Sequence, residues 1–195
     1  MKIIVGGKSN LSIYILKKLL EDNDKDNLGV VLSNFNPKID NWQMSLKKFA
    51  EDKGIKIYKL KNIYKVTKIF ISCEYDKIIN INNFKTNLLF NIHFSLLPKY
   101  RGVYTSLWPI IYDDFFAGIT IHKMTNKIDE GNIISQKKYK IKKYFCSLDL
   151  YLNNIKYGKK LVDKFLVDLN NKKFKGIKVK KNKYQYKSKS SFNFS

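Results

Sequence analysis

Residues 2–32 (KIIVGGKSNLSIYILKKLLEDNDKDNLGVVL) hold the pattern that decides the fold. An apolar, β-branched run at residues 2–7 ends in two glycines, which is typical of a buried strand entering a tight turn. Ser9 or Asn10 can cap a helix, and apolar residues then recur at helical spacing. A second apolar run at residues 28–32 predicts another buried strand. The stretch is therefore predicted to form a β-α-β unit.

The alternation of strands and helices continues towards the middle of the chain. Further strands are predicted at residues 55–60, 69–72 and 88–92, and a second helix at residues 42–52. Such alternation is typical of a doubly wound domain whose ligands bind at the carboxyl ends of the strands. We therefore predict an α/β, Rossmann-like fold with a mostly parallel sheet flanked by helices.

The second half of the chain has a different pattern. After a long irregular stretch, β-rich segments are predicted at residues 119–124 and 133–141. An amphipathic pattern with Ser147 as its cap predicts a helix that packs on the sheet. Residues 179–195 are interpreted as a basic hairpin or a frayed tail. The predicted organisation has two parts: a core at residues 1–140 and a C-terminal helix with a short basic hairpin or tail at residues 141–195.

The composition argues against several classes of protein. With 195 residues, 44% of them hydrophobic, the chain can bury a core of its own. Cys73 and Cys146 lie far apart without a CxxC or Cys/His cluster, so neither a disulfide nor a metal site is indicated and a cytoplasmic location is predicted. No run of residues has the length of a membrane span or the form of a signal peptide, so we expect no membrane association of that kind.

The formal charge of +22 is open to two interpretations. A basic surface attracts phosphate-bearing ligands and nucleic acid. However, lysine is spread over the whole chain and Arg101 is the only arginine, whereas nucleic-acid binders usually concentrate their charge and use arginine. A lysine-favouring compositional bias is therefore the preferred interpretation, and a small-molecule substrate is predicted rather than nucleic acid.

Two polar side chains, Asn91 and His93, are predicted at the carboxyl end of the strand at residues 88–92. Residues two apart in a strand point the same way. At such an edge an amide and an imidazole together could bind and protonate a reacting carbonyl. The pattern alone leaves open the alternative of a histidine held by hydrogen bonds beneath the following loop.

Three blocks of sequence resemble the motifs of the folate-dependent formyltransferase family. They are residues 91–102 (NIHFSLLPKYRG), 117–124 (AGITIHKM) and 128–136 (IDEGNIISQ). Agreement in order and spacing is far more specific than any single motif. Phe94 replaces a common proline and Ala117 a common threonine, but neither change removes an expected reacting group.

The resemblance implies transfer of a formyl group from 10-formyltetrahydrofolate to an amine, with Asn91, His93 and Asp129 at the reacting centre. The Asn91 amide and a protonated His93 would stabilise the charge that develops on the formyl oxygen. Asp129 would hold and charge the imidazole. Other ionisable residues nearby are interpreted as structural or solvated: His122, Glu130, Asp113 and Asp114.

The resemblance also implies a folate pocket bounded by four residues. They are Tyr75 and Ile79, after one predicted strand, and Ile128 and Asp129, before another. A pterin is held there mainly by backbone hydrogen bonds, which leave little trace in the sequence. Simple packing of Tyr75 and Ile79 is the alternative.

A substrate that carries a nucleotide diphosphate needs cations for its phosphates and an aromatic partner for its base. Lys99, Tyr100, Arg101 and Trp108 could supply both. The alternative is that the aromatic rings pack in the core and that the lysine is solvated.

The acceptor amine distinguishes three enzymes of the family. Residues 100–110 resemble most closely the enzymes that formylate an amino sugar carried on a nucleotide diphosphate, and such a sugar is the predicted substrate. Glycinamide ribonucleotide formyltransferase of purine biosynthesis is the alternative, and methionyl-tRNA formyltransferase, which carries an additional C-terminal domain, fits less well. An inactive relative that binds folate or nucleic acid, and assembly as a homodimer, are left open.

Overall fold

The structure, a computed structural model, describes residues 2–37, 39–171, 177 and 186–187. The chain divides into two compact units, Met1–Ile92 and His93–Ser195. The boundary near residue 140 between a core and a C-terminal part stays a prediction. The predicted hairpin or tail at residues 179–195 lies outside the described residues except for two positions.

The first unit is an α/β structure with five strands among its described residues. Its elements alternate along the chain: β1 (Lys2–Gly7), α1 (Ser9–Asp22), β2 (Leu28–Leu32), α2 (Leu46–Asp52), β3 (Lys56–Ile57), α3 (Leu60–Ile63), β4 (Thr67–Cys73) and β5 (Leu89–His93). The strands are ordered β3-β2-β1-β4-β5, and these neighbours pair in parallel. The order reverses beside β1, which is where ligands bind in sheets of this kind. The predicted α/β fold with a mostly parallel sheet is confirmed.

The loop after β2 explains why α2 starts later than predicted. Helix α2 begins at Leu46 rather than at residue 42. Before it, side chains replace the helical hydrogen bonds: Asp40 Oδ1 accepts from Ser45 N at 2.8 Å. Asn10, predicted as a possible cap of α1, lies inside that helix and donates instead to Trp42 O at 2.9 Å. These contacts hold the chain in a loop conformation up to the start of α2.

The second unit contains a hairpin and a long helix. Its elements are β6 (Arg101–Gly102), α4 (Trp108–Ile111), β7 (Phe116–Lys123), β8 (Ile133–Lys140), α5 (Ser147–Asn170) and β9 (Tyr186–Lys187). Strands β7 and β8 are antiparallel, and β6 pairs in parallel with β9. Helix α5 packs on β7 and β8, as its amphipathic pattern predicted, with Leu150 buried against Ala117 and Tyr139. Its N-cap is Cys146 rather than Ser147.

Two further properties of the chain follow from the described part. Within it, no helix has both the length and the apolar character needed to span a lipid bilayer. Cys73 is buried, Cys146 is exposed, and both are free thiols. Burial raises the pKa of Cys73, so this thiol is held in its unreactive protonated form.

Candidate active site

Asp129 lies between the imidazole rings of His93 and His122 in the second unit. Its Oδ2 atom is 3.4 Å from His93 Nδ1, and its Oδ1 atom is 3.4 Å from His122 Nε2. All three side chains are buried, with exposed fractions of 7% for His93, 8% for Asp129 and 2% for His122. The structure therefore brings together two of the three predicted reacting residues and adds His122, which the sequence pattern marked only as a structural residue.

Each of these residues lies at the end of a strand or beside an irregularity. His93 is the last residue of β5, His122 lies near the end of β7, and Asp129 lies in the turn between β7 and β8. The register of the β7–β8 pair shifts between Ile121 and His122. A bulge of this kind redirects a side chain, and bulges are over-represented next to active sites.

The turn at Asp129 has an unusual backbone conformation. Asp129 has φ of 53°, in the left-handed region that most residues avoid. Two residues later, the backbone of Gly131 packs directly against β7, since a Cβ atom at this position would lie 1.6 Å from Lys123 O. Lys123 N donates to Asn132 O at 2.9 Å and closes the turn. The turn is therefore fixed tightly against the end of β7, with the Asp129 carboxylate between the two rings.

The segment Tyr100–Gly102 contacts both His93 and Asp129 through its backbone. Tyr100 O is 2.8 Å from His93 Nε2, and Gly102 N donates to Asp129 Oδ2 at 2.8 Å. Tyr100 and Gly102 both have left-handed backbone angles, with φ of 56° and 94°. This short segment therefore orients the ring and the carboxylate at the same time.

The hydrogen-bond partners define which protons the rings carry. A carbonyl oxygen only accepts, so His93 Nε2 must donate its hydrogen to Tyr100 O. His93 Nδ1 faces the Asp129 carboxylate, and only the imidazolium form carries a hydrogen on both nitrogens. His122 is in the same position, because its Nδ1 lies 2.8 Å from Lys123 O and its Nε2 faces Asp129. One carboxylate therefore faces a nitrogen of each ring, while the other nitrogen of each ring bonds a backbone carbonyl.

The Asp129 carboxyl group is held in its ionised form. Burial by itself would raise the pKa of Asp129, but attraction to His93 and His122 and hydrogen bonds from His122 and Gly102 outweigh burial and hold the pKa well below its ordinary value. A buried carboxylate paired with imidazole is the arrangement that fixes the orientation and charge of a histidine for acid–base chemistry. The site can therefore present an oriented His93, next to an ionised carboxylate, to a reacting group.

Asn91 lies in β5, two residues before His93, and is half-buried. The alternation of side chains along a strand places Asn91 and His93 on the same face of β5. Its role as the third reacting residue stays a prediction.

The predicted substrate residues Lys99 and Tyr100 both contact Asp114. Lys99 Nζ is 2.9 Å from Asp114 Oδ1, and the Tyr100 hydroxyl donates to Asp114 Oδ2 at 2.7 Å. The Tyr100 ring also stacks on Tyr112, with centroids 6.0 Å apart. The interpretation of Asp114 as a solvated loop acid is wrong, because it organises this cluster. The proposed substrate contacts of Lys99 and Tyr100 stay predictions.

The other two predicted substrate residues are buried. Arg101 is 9% exposed, and its Nη1 donates to Glu130 Oε1 at 2.6 Å, so Glu130 is ion-paired rather than simply solvated. Trp108 is 4% exposed, and its indole N–H donates to Val103 O at 2.9 Å. Contacts of Arg101 and Trp108 with a substrate stay predictions, and the burial of both side chains limits the surface available for such contacts.

The predicted folate-binding residues fall into both units. In the first, the Tyr75 hydroxyl is buried and has no hydrogen-bond partner among the described residues, and burial raises the pKa of Tyr75 to about 12. Ile79 is buried. In the second, Ile128 is 37% exposed in the turn that carries Asp129. The Tyr75 hydroxyl is thus a buried polar group whose hydrogen-bonding capacity is unused in the described part of the chain, and Ile128 is an apolar side chain that a ligand could contact.

Comparisons with known proteins agree with this geometry. A family model for formyl transferase matches residues 24–162. The solved structure of WlaRD, a sugar 3N-formyl transferase in the presence of dTDP and 5-N-formyl-THF, is 40% identical, has a TM-score of 0.95 and is matched over 99% of this chain and 71% of that one. The N-formyltransferase from Helicobacter canadensis in complex with folinic acid and dTDP-3-aminofucose is 34% identical, also with a TM-score of 0.95, over 99% of this chain and 72% of that one.

The curated relatives are longer than the matched region. The chain spans less than two thirds of the first of these relatives. One is the methionyl-tRNA formyltransferase of Mycoplasmopsis pulmonis, which is 28% identical over 193 residues, covering 91% of this chain and 65% of that protein. The family model nevertheless covers well over half of the chain, in the region that includes His93, His122 and Asp129. The chain belongs to the formyl transferase family.

Proposed function

We propose that this chain transfers a formyl group from 10-formyltetrahydrofolate to the amine of a nucleotide-linked amino sugar. The observation that carries the proposal is the buried pair of His93 and Asp129, in which an ionised carboxylate lies 3.4 Å from His93 Nδ1 while His93 Nε2 bonds Tyr100 O. The two similar sugar N-formyltransferases, with their folate and dTDP ligands, support the choice of donor and acceptor.

The chemistry requires a neutral amine to attack the formyl carbon while negative charge develops on the formyl oxygen. In this structure the His93 Nε2–H group bonds Tyr100 O. In the proposed mechanism it donates instead to the formyl oxygen, and the Asn91 amide donates to the same oxygen. Asp129 keeps His93 charged and, directly or through water, accepts the proton that the amine loses. The new bond joins the amine nitrogen to the formyl carbon, and the bond from that carbon to the donor nitrogen breaks. The proton from the amine is relayed to that donor nitrogen, which leaves as tetrahydrofolate.

The donor would be held by the four predicted residues, Tyr75, Ile79, Ile128 and Asp129. 10-Formyltetrahydrofolate supplies the activated formyl carbon when bound. The buried hydroxyl of Tyr75, with no partner in the described part of the chain, suits a ring with polar edges, and the exposed side chain of Ile128 suits its apolar face. These residues fit a folate.

Of the four predicted substrate residues, Lys99, Tyr100 and Trp108 would hold the nucleotide-linked sugar, while Arg101 is engaged by Glu130. Lys99 is more accessible than Arg101, with 38% of its side chain exposed, and it suits a diphosphate. The stacked rings of Tyr100 and Tyr112 offer an aromatic surface for the base or the sugar. Trp108 stacks on Tyr112 in turn and would support that surface from below.

The direct test is tetrahydrofolate release from 10-formyltetrahydrofolate with dTDP- and GDP-linked amino sugars as acceptors. Glycinamide ribonucleotide and methionyl-tRNA are assayed in parallel, and His93→Ala is the inactive control. Release with an amino sugar alone, lost in the control, supports the proposal. Release with the ribonucleotide alone or with the tRNA alone moves the protein to another branch of the family and contradicts it.

We also propose that the enzyme works in the cytoplasm and as a homodimer. The two free thiols support a reducing compartment. Large apolar side chains at the surface of the second unit, among them Phe115 with 77% and Tyr144 with 74% exposed, support a partner surface. Cell fractionation and a mass measurement by light scattering test the two proposals.

A further inference from the structure

The chain has one arginine, and it is buried next to the reacting pair. Arg101 is 9% exposed, and its ion pair with Glu130, at 2.6 Å, joins residues 29 apart in the sequence. The Arg101 Nε atom is buried without a hydrogen-bond partner among the described residues. A guanidinium in such a place is costly unless a carboxylate compensates it, so Arg101 depends on Glu130.

The neighbours of these two residues make the contacts that orient the site. Arg101 lies between Tyr100, whose carbonyl holds His93, and Gly102, whose N–H holds Asp129. Glu130 directly follows Asp129 in the turn. The ion pair therefore joins the two short segments whose backbones make the contacts with the ring and the carboxylate.

We propose that Arg101 and Glu130 are positioning residues that hold Asp129 and His93 in register for formyl transfer. This inference rests on the function proposed above. A shift of the turn relative to the Tyr100–Gly102 segment would lengthen the Gly102-to-Asp129 bond of 2.8 Å and the His93-to-Asp129 contact of 3.4 Å. The His93 imidazolium would then lose part of the charge that stabilises it.

This role differs from that of a diphosphate ligand, which the sequence alone suggested for Arg101. A ligand for the diphosphate acts on substrate binding, and Glu130 would compete with the phosphates for the guanidinium. A positioning residue acts on the orientation of His93, and Glu130 is then needed as much as Arg101. The two roles predict opposite results for the removal of Glu130.

The kinetic test compares Glu130→Gln, Arg101→Gln and the double variant. Each single variant is expected to lower kcat by about 10- to 100-fold, as misplacement of a catalytic group does, with KM for both substrates within about twofold. Because the two residues act as one unit, the kcat of the double variant should be no lower than that of the slower single variant. Lys48→Gln removes a cation from the exposed Lys48–Asp40 pair, 2.8 Å long, in the first unit and should leave kcat unchanged.

A second measurement does not need turnover. The chain has two histidines, so NMR of protein labelled with ¹⁵N-histidine gives two sets of ring signals, and the His93→Ala variant identifies the His93 set. In Glu130→Gln the His93 ring signals should move away from their wild-type positions, because the contact of His93 with Asp129 changes. In Lys48→Gln they should stay in place. This measurement remains decisive if Arg101→Gln fails to fold, or if none of the tested acceptors is formylated.

Three results would overturn the inference. The first is unchanged His93 signals in folded Glu130→Gln. The second is a double variant whose loss of kcat equals the combined losses of the two single variants. The third is a rise in the KM for the nucleotide sugar in Arg101→Gln together with normal kinetics in Glu130→Gln, which would make Arg101 a substrate ligand. Loss of activity in His93→Ala but not in either positioning variant would leave the proposed function standing and remove only this inference.

Discussion

Replacing Asp129 by asparagine tests the central feature of the site, because it keeps the shape of the side chain and removes its charge. The amide oxygen of the new side chain can still accept the hydrogen bond from Gly102 N, which in the wild type runs to Asp129 Oδ2. The amide nitrogen would then face His122. His93 would keep its two oxygen neighbours but lose the carboxylate that favours its charged form.

The size of the effect follows from the distance between the charges. At the 3.4 Å between His93 Nδ1 and Asp129 Oδ2, two unit charges attract by about 5 kcal/mol at an effective dielectric constant of about 20. At about 1.4 kcal/mol for each factor of ten, full loss of this attraction would slow the reaction by about 10³- to 10⁴-fold. Part of the attraction is offset by desolvation, so we expect a decrease in kcat of about 10³-fold, within the range of acid–base catalysis.

The assay is tetrahydrofolate release at saturating donor and amino sugar, with the melting temperature measured for each variant. Asp40→Asn is the matched control, because Asp40 is also an ion-paired carboxylate, 2.8 Å from Lys48, but lies in a loop of the first unit. It should keep the wild-type kcat. The kcat lost in the double variant with His93→Ala should be less than the two single losses combined, since Asp129 acts partly through that ring.

Two outcomes would refute this reasoning. A folded Asp129→Asn protein that keeps more than about one tenth of the wild-type kcat would show that the carboxylate does not charge the imidazole, since general acid–base groups contribute at least about 100-fold. An equal loss in Asp40→Asn would show that the effect is a general one of removing acidic residues.

Three further predictions concern stability and donor binding. Gly131→Ala should lower the free energy of unfolding by about 3 kcal/mol or more, because its Cβ would lie 1.6 Å from Lys123 O. The control Gly54→Ala, at φ of 65° on a more open surface, should lower it by about 1–2 kcal/mol. Equal losses in urea unfolding would contradict this prediction. Tyr75→Phe should leave the free energy of unfolding unchanged or raise it by up to about 1 kcal/mol, since the hydroxyl lacks a partner among the described residues. The same variant should raise the KM for 10-formyltetrahydrofolate but not the KM for the amino sugar. An unchanged KM for the donor would remove Tyr75 from the folate site. The lowered pKa of Asp129 means that its carboxylate stabilises the folded state above the ordinary value of 3.8, and that this stabilisation is lost as the pH falls below that value towards the folded-state pKa. The melting temperature should therefore fall more steeply between about pH 5 and pH 2 for the wild type than for Asp129→Asn, and parallel curves would argue against the lowered pKa.

Local pattern was enough to predict most strands and the long helix. The apolar run at residues 28–32 matches β2 residue for residue, and the amphipathic pattern after residue 146 matches α5. Apolar periodicity reports which side chains are buried, and burial in a sheet or against a helix is what defines these elements. The ends of elements were less accurate where side chains, such as that of Asp40, replace backbone hydrogen bonds.

The contacts around Asp129 illustrate what local pattern could not give. The strand pattern predicts a structural role for His122, and the residue is buried, but its partner is seven residues away across a turn. The sequence pattern predicts a solvated acid at Glu130, because nothing near it in the sequence indicates its partner Arg101, 29 residues earlier. A left-handed φ at a non-glycine residue such as Asp129 also leaves no clear sequence signal.

Periodicity and motif spacing are properties of the chain, so they were enough to predict the α/β fold and to mark His93 and Asp129 as reacting residues to be tested. How these groups are held is a property of the folded molecule: one carboxylate lies between two imidazole rings, and Arg101 and Glu130 join the segments that orient them. The physical reason is that charge and proton positions depend on distances of a few ångströms between residues far apart in the chain, and those distances are set only when the turn at Asp129 packs against the end of β7.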